Sequence, residues 1–163
     1  MEKKVIIING TGGSGKDTFV EFCAEFSEVI NISSVDKVKE AAKALVGWNG
    51  EKDEKSRKLL VDLKQLSIEY NDYPAKYIEE QYEIFKNSNS KYLFIHIREI
   101  NEIEKIKKLL HAETLLVVNP RISLITSNES DGNVLKYDYD FIIENNGTLE
   151  DLKEKAKEFI CKK

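Results

Sequence analysis

A glycine-rich run near the N-terminus ends in a lysine: Gly10, Thr11, Gly12, Gly13, Ser14, Gly15 and Lys16 fill every position of the pattern G-x-x-x-x-G-K. A segment of this kind does its chemistry through the backbone. Glycines permit the dihedrals and the close approach by which successive N–H groups turn inward toward an anion. A helix that begins where the loop ends adds its unpaired N–H groups and the positive end of its dipole. The product is a cradle for phosphate oxygens, with Lys16 placing a full charge on the β- and γ-phosphates of a nucleotide. The next position, where Ser or Thr usually holds magnesium, is Asp17, followed by Thr18. A carboxylate there binds Mg2+ directly or through water. The competing reading, a plain flexible turn, leaves the alignment of strand, loop, lysine and helix unexplained.

The elements around the loop are those the motif needs. KVIIIN, Lys4 to Asn9, is a short β-branched run that reads as a strand buried on both faces. A helix is expected from Gly15 to Phe26 and a second strand from Val29 to Ser33. Ser34 is the expected N-cap of a helix carrying Val38, Ala41, Ala42 and Leu45 on one face. Gly47 to Ser56 reads as a loop, Arg57 to Tyr70 as a helix with Leu59, Leu60, Leu63 and Leu66, and Pro74 as the first turn of a helix reaching Phe85. Further strands are expected at Lys91–Ile97, Glu113–Asn119 and Asp140–Asn145. Ile103, Ile106 and Leu110 give the helix between the first two of these its inner face. Thr148 and Asp151 form a capping box for a last helix whose stripe is Leu149, Leu152, Ala156 and Ile160. Pro120 to Lys136 is polar and aperiodic. Strand and helix alternate, with extra helices after the second strand, and this order predicts a parallel sheet covered by helices on both faces.

In such sheets ligands bind beyond the carboxyl ends of the strands. Ser33, Ser34, Asp36, Arg98, Asn119, Arg121, Asn145 and Asn146 all fall there. Of the 25 basic residues only three are arginines, Arg57, Arg98 and Arg121. Where lysine serves every generic need, arginine marks places that use its planar fork. Arg98 is therefore assigned to phosphate and to transition-state charge on a transferred group, against the alternative of an ion pair with Glu99 or Glu102. Arg121 is assigned to the nucleotide side or to an ordinary surface role. Asp36, Lys39 and Arg57 are candidate contacts to an acceptor, with Tyr70 and Tyr73 behind them; an i−3 contact with Glu54 explains Arg57 equally well. His96 reads as a core or cleft-edge histidine in preference to a catalytic base.

Composition narrows the class. Forty-one per cent apolar and 33% charged residues over 163 positions describe one globular domain. A net charge of −4 argues against a nucleic-acid polymer as partner but not against a single nucleotide. The two cysteines, Cys23 and Cys161, form no CxxC pair, and Cys23 lies in an apolar helical pattern as a core residue. No signal peptide or membrane span is read, and no zinc spacing. A cytoplasmic monomer or homodimer with no membrane partner is expected.

A family resemblance covers nearly the whole chain. GSGKDT, Gly13 to Thr18, resembles the phosphate loop of the deoxynucleoside monophosphate kinases of phages and bacteria, and is similar to that of animal-type phosphomevalonate kinases. SSVDKVKEAAKAL, Ser33 to Leu45, is similar to their acceptor-side segment, and IREINEIEKIK, Ile97 to Lys107, to their strand-end V-R-x-x-x-E-x-x-x-I. YDFIIENNGTLEDL, Tyr139 to Leu152, matches the final strand and helix, a pattern shared with dephospho-coenzyme A kinases. The resemblance implies a P-loop NTPase fold of the nucleoside monophosphate kinase type: a five-stranded parallel sheet sandwiched by helices in one domain. It would carry a helical acceptor-side insertion at about 34–88 and a short lid-like segment at about 120–136. It implies ATP and Mg2+ as cofactors, a small phosphorylated acceptor, Lys16 and Arg98 in catalysis, and Asp36 and Lys39 on the acceptor side. The chain departs from the pattern at His96, where the family carries Asp, and in the single arginine of its lid. Those departures keep a second reading open, an ATP-binding regulator or weak NTPase without an acceptor.

Overall fold

The computed structural model describes residues 2–121 and 134–162. Along the chain the described elements are β1 (Lys4–Asn9), α1 (Lys16–Phe26), β2 (Val29–Ser33), α2 (Asp36–Val46), α3 (Glu54–Asn71) and α4 (Tyr73–Lys86). There follow β3 (Tyr92–His96), α5 (Ile100–Leu110), β4 (Glu113–Val118), β5 (Phe141–Glu144) and α6 (Leu149–Cys161). They fall into two compact units, residues 1–31 with 88–163, and residues 32–87.

The strands form one five-stranded sheet in the order β2-β3-β1-β4-β5. β1 lies at its centre, parallel to β3 with Ile6 opposite Phe94 and Ile8 opposite His96, and parallel to β4 with Asn9 opposite Leu116. β5 joins β4 in parallel at the edge. Parallel strands covered on both faces must be apolar throughout, which is why β1, β3 and β4 read as continuous runs. On one face Ile6, Ile8, Phe94, Leu115 and Val117 pack with Phe19, Val20 and Cys23 of α1 and Leu152, Ala156 and Ile160 of α6. Phe159 of α6 sits edge-on to Phe19 and Phe141 at ring separations of 5.8 and 5.4 Å. Burial pushes the Cys23 thiol up to about 12, so it stays a neutral packing group. Both cysteines are free, Cys23 buried and Cys161 exposed. Residues of the other parity, Ile7, Leu93 and Ile95, are fully buried too, as are Ile103 and Ile106 of α5.

The unit of residues 32–87 is helical, with α2 against α3 and α3 against α4. Here the expectations need correction. Ser34 does not cap α2; Val35 precedes the helix without a capping side chain. The Asp36 carboxylate instead accepts from the Ser33 N–H at 2.9 Å. The helix expected from Arg57 begins at Glu54, because Asp53 caps it by accepting from the Ser56 N–H at 2.8 Å. The apolar stripes are also narrower than their spacing suggests. Val38 and Ala42 are buried, but Ala41 is exposed and Leu45 is 69% exposed. Leu66 is 61% exposed, and in the sheet unit Leu149, the first residue of α6, is 68% exposed. A residue on an end turn or beyond the line of contact keeps the period without reaching a core. The Thr148–Asp151 capping box is present as expected. The lid-like segment expected at about 120–136 lies, from residue 122 to residue 133, outside the described residues.

Candidate functional site: the loop between the first strand and the first helix

The loop leaves the buried end of β1 and enters α1 with no side-chain cap, Gly15 holding the N-cap position in the left-handed region at φ 96°. Gly13 is left-handed as well, at φ 76°. Two successive turns of this sense fold the chain back on itself, and Ser14 N–H closes one of them by donating to the Thr11 carbonyl at 3.0 Å. A Cβ at Gly10 would lie 2.5 Å from Ser14 Oγ and 2.7 Å from the Val117 carbonyl, and one at Gly15 would collide with the Asn145 amide. Gly10 therefore requires glycine by contact with backbone and Gly15 by its left-handed φ, while a Cβ at Gly12 would meet nothing within 4 Å.

Two asparagines hold this curl from outside the motif, and a third bonds to His96. Asn9, fully buried, accepts from the Gly10 N–H at 2.9 Å through Oδ1. Its amide donates to the Arg98 carbonyl at 3.3 Å and to the Tyr139 hydroxyl at 3.1 Å. The Tyr139 hydroxyl donates in turn to the Val134 carbonyl at 2.7 Å, and burial holds the phenol above the usual tyrosine range. Asn145, just past β5, donates to the Ser14 carbonyl at 2.9 Å. Asn31, the middle residue of β2, accepts from His96 Nε2 at 2.7 Å. Asn145 was expected at the ligand edge; Asn9, Asn31 and Tyr139 carried no signal, since each acts through a partner far away in sequence.

Lys16 is the first residue of α1. Its Nζ lies 3.2 Å from His96 Nδ1 and 3.2 Å from Asp17 Oδ1. Asp17 Oδ1 is also 3.8 Å from His96 Nδ1. The Lys16 and His96 side chains are largely covered, whereas that of Asp17 is 79% exposed. Arg98 is exposed just past β3, its backbone tied to Asn9. Arg121 follows β4; its N–H donates to Asn119 Oδ1 at 2.9 Å and its guanidinium to the Asn146 carbonyl. Asn119, Arg121, Asn145 and Asn146 thus meet where β4 and β5 end, Asn145 N–H donating to the Val118 carbonyl at 2.7 Å.

A nucleotide phosphate fits the loop on three counts. Gly13 and Gly15 hold left-handed dihedrals of the kind a phosphate cradle uses, the first N–H groups of α1 have no intrahelical partner, and Ser14 Oγ is buried with no hydrogen-bond partner among the described residues. Magnesium fits less fully. Among the described residues no three of His, Cys, Asp and Glu come together as a metal cluster. Asp17 offers one exposed carboxylate, enough for an ion whose remaining ligands are phosphate and water.

The helical unit holds the remaining candidates. Asp36 Oδ2 accepts from the Tyr77 hydroxyl at 2.9 Å as well as from Ser33. Burial, then the bond to Asp36, pushes the Tyr77 phenol far above its usual range, so it remains a donor. Lys39 and Arg57 stand exposed on α2 and α3, and Tyr70 is exposed near the end of α3. Within this unit hydrogen bonds gather Ser33, Asp36 and Tyr77. No helix among the described residues is long and apolar enough to cross a membrane.

No protein-family model matches the chain, and no curated protein does. Solved structures do match. Dephospho-CoA kinase from Campylobacter jejuni superposes at a TM-score of 0.60 with 19% identity, covering 97% of this chain and 96% of that one. TT1252 from Thermus thermophilus gives 0.51 with 20% identity over 98% and 97%. Shikimate kinase from Acinetobacter baumannii, in complex with shikimate, gives 0.50 with 16% identity over 97% and 93%. At such identities the likeness is one of fold, and it agrees with the sheet and loop described above: the chain has the α/β fold of the P-loop NTPases.

Proposed function

We propose that the protein is an ATP-dependent phosphotransferase, and that its acceptor is a small phosphorylated molecule, in the first instance a nucleoside or deoxynucleoside monophosphate. The observation that carries the proposal is the glycine loop of residues 10–15, curled through left-handed Gly13 and Gly15 onto Lys16 at the start of α1. The kinase names of the solved structures with this fold are consistent with it. Mg·ATP would supply the transferable phosphoryl group together with the metal charge that neutralises it. Phosphoryl transfer asks for positioned charge and little covalent chemistry. The loop amides and Lys16 would hold the β- and γ-phosphates, and Arg98 would offset charge that develops on the transferred group. Asp17 would be the protein's ligand to magnesium. Arg121, already braced on Asn146, would serve the nucleotide side. Acceptor recognition is assigned to the helical unit: Asp36, oriented by Tyr77 and Ser33, with Lys39 and Arg57.

One observation favours a second reading. Lys16 is engaged by His96 and Asp17, an arrangement that also suits a protein which binds ATP and transfers nothing. ADP production from Mg·ATP, measured with a panel of nucleoside monophosphates and small phosphorylated metabolites, separates the two. The proposal expects turnover that depends on one acceptor and disappears in Lys16→Ala. Nucleotide binding without acceptor-dependent turnover on any member of the panel would establish the regulator instead.

A further inference from the structure

We infer that His96 is the positioning residue of the phosphate-loop lysine, acting through the lone pair of Nδ1. The inference rests on the proposal that Lys16 binds nucleotide phosphate. The geometry is a directed chain. Asn31 Oδ1 lies 2.7 Å from His96 Nε2, and an amide oxygen only accepts, so Nε2 carries the proton. Nδ1 of the neutral ring is then an acceptor, and it faces Lys16 Nζ, which only donates, at 3.2 Å. With its side chain 12% exposed, the ring is held between β2 and the loop and has little freedom to turn. An ammonium has three donors. His96 takes one and Asp17 another at 3.2 Å, which fixes the direction of the third. A four-carbon side chain that would otherwise sample many rotamers is thereby ordered before the nucleotide arrives, lowering the entropy lost on binding. Asn31 acts at one remove, by fixing the tautomer.

The two amide replacements of histidine distinguish this role from mere packing. In His96→Asn the side-chain oxygen occupies the place of Nδ1 and can still accept from Lys16. In His96→Gln the amide reaches the place of Nε2, keeping the Asn31 contact and losing that to Lys16. Calorimetric titration with Mg·ADP at pH 8 is expected to give His96→Asn an affinity close to wild type. His96→Gln should bind on the order of 10-fold more weakly, the worth of one hydrogen bond to a charged group. Asn31→Ala should weaken binding in the same direction. Imidazole 15N shifts of the wild-type protein should show His96 protonated at Nε2. The inference is overturned by an Nδ1-protonated ring, by equal affinities in the Asn and Gln variants, or by loss of binding in a folded His96→Asn. If either His96 variant lacks the wild-type thermal transition, the 15N shifts and Asn31→Ala decide. Loss of binding in Lys16→Ala with no change in His96→Gln sinks this inference alone. Unchanged binding in Lys16→Ala sinks the proposed function and the inference with it.

Discussion

The sheet unit and the helical unit use the same kinds of apolar residue to different effect. In β1, β3 and β4 almost every apolar side chain is buried, Ile7, Ile8, Leu93, Phe94, Ile95 and Leu115 completely. In α3, an 18-residue helix with a regular leucine spacing, Ser56 is the one buried residue, while Val61, Leu66 and Tyr70 face outward. A continuous β-branched run of five or six residues has few uses besides a covered strand, so pattern and burial coincide. A helical stripe states only which residues share a face, and how much of that face is covered depends on neighbours that local sequence does not specify.

The first way to break this comparison is to truncate one large side chain in each unit. Phe94→Ala removes a fully buried ring and should cost about 3–5 kcal/mol, lowering the thermal midpoint by on the order of 10 °C. Leu66→Ala, at an exposed position, should cost under about 0.5 kcal/mol. Equal shifts in differential scanning calorimetry would show that the two units do not differ as described.

Helix caps sharpen the comparison, because their worth depends little on a core. Thr148→Ala, which opens the capping box of α6, should cost about 1 kcal/mol in urea denaturation. A smaller effect of the same kind appears in acid. Hydrogen bonds from Ser56 hold the Asp53 carboxyl below the usual aspartate range, and those from Thr148 do so for Asp151. A depressed folded value contributes stability that is complete above the unfolded value near about 4 and is lost as pH falls through the lower folded one. Asp53→Asn and Asp151→Asn keep a cap acceptor without a titrating group. Each should flatten the decline in stability below about pH 4, one in either unit. An unchanged acid limb in both would mean that the caps do not hold in solution.

Legibility in the sequence followed the same division. The limits of β1 and β2 coincide with those expected, and Lys16, Asp17 and Arg98 stand at strand ends or helix starts as their motifs require. The supports of the site were not legible. Asn9 meets Tyr139 across 130 positions, Asn145 meets Ser14 across 131, and His96 meets Asn31 across 65. Such pairs exist only once the parallel sheet has assembled, and an asparagine in or after a strand looks the same in sequence whether it braces a loop or faces water. Asp36 was legible as a candidate, but its partner Tyr77 was not, lying two helices further along the chain.

The central claim is that the loop of the sheet unit binds nucleotide phosphate through Lys16. Calorimetric titration of the full chain with Mg·ADP, wild type against Lys16→Ala, tests it most directly. The account predicts saturable one-site binding to the wild type and a loss of at least about 10-fold in the variant, the worth of a charged hydrogen bond at the phosphates. Equal affinities in the two proteins, or no binding to the wild type, would contradict it.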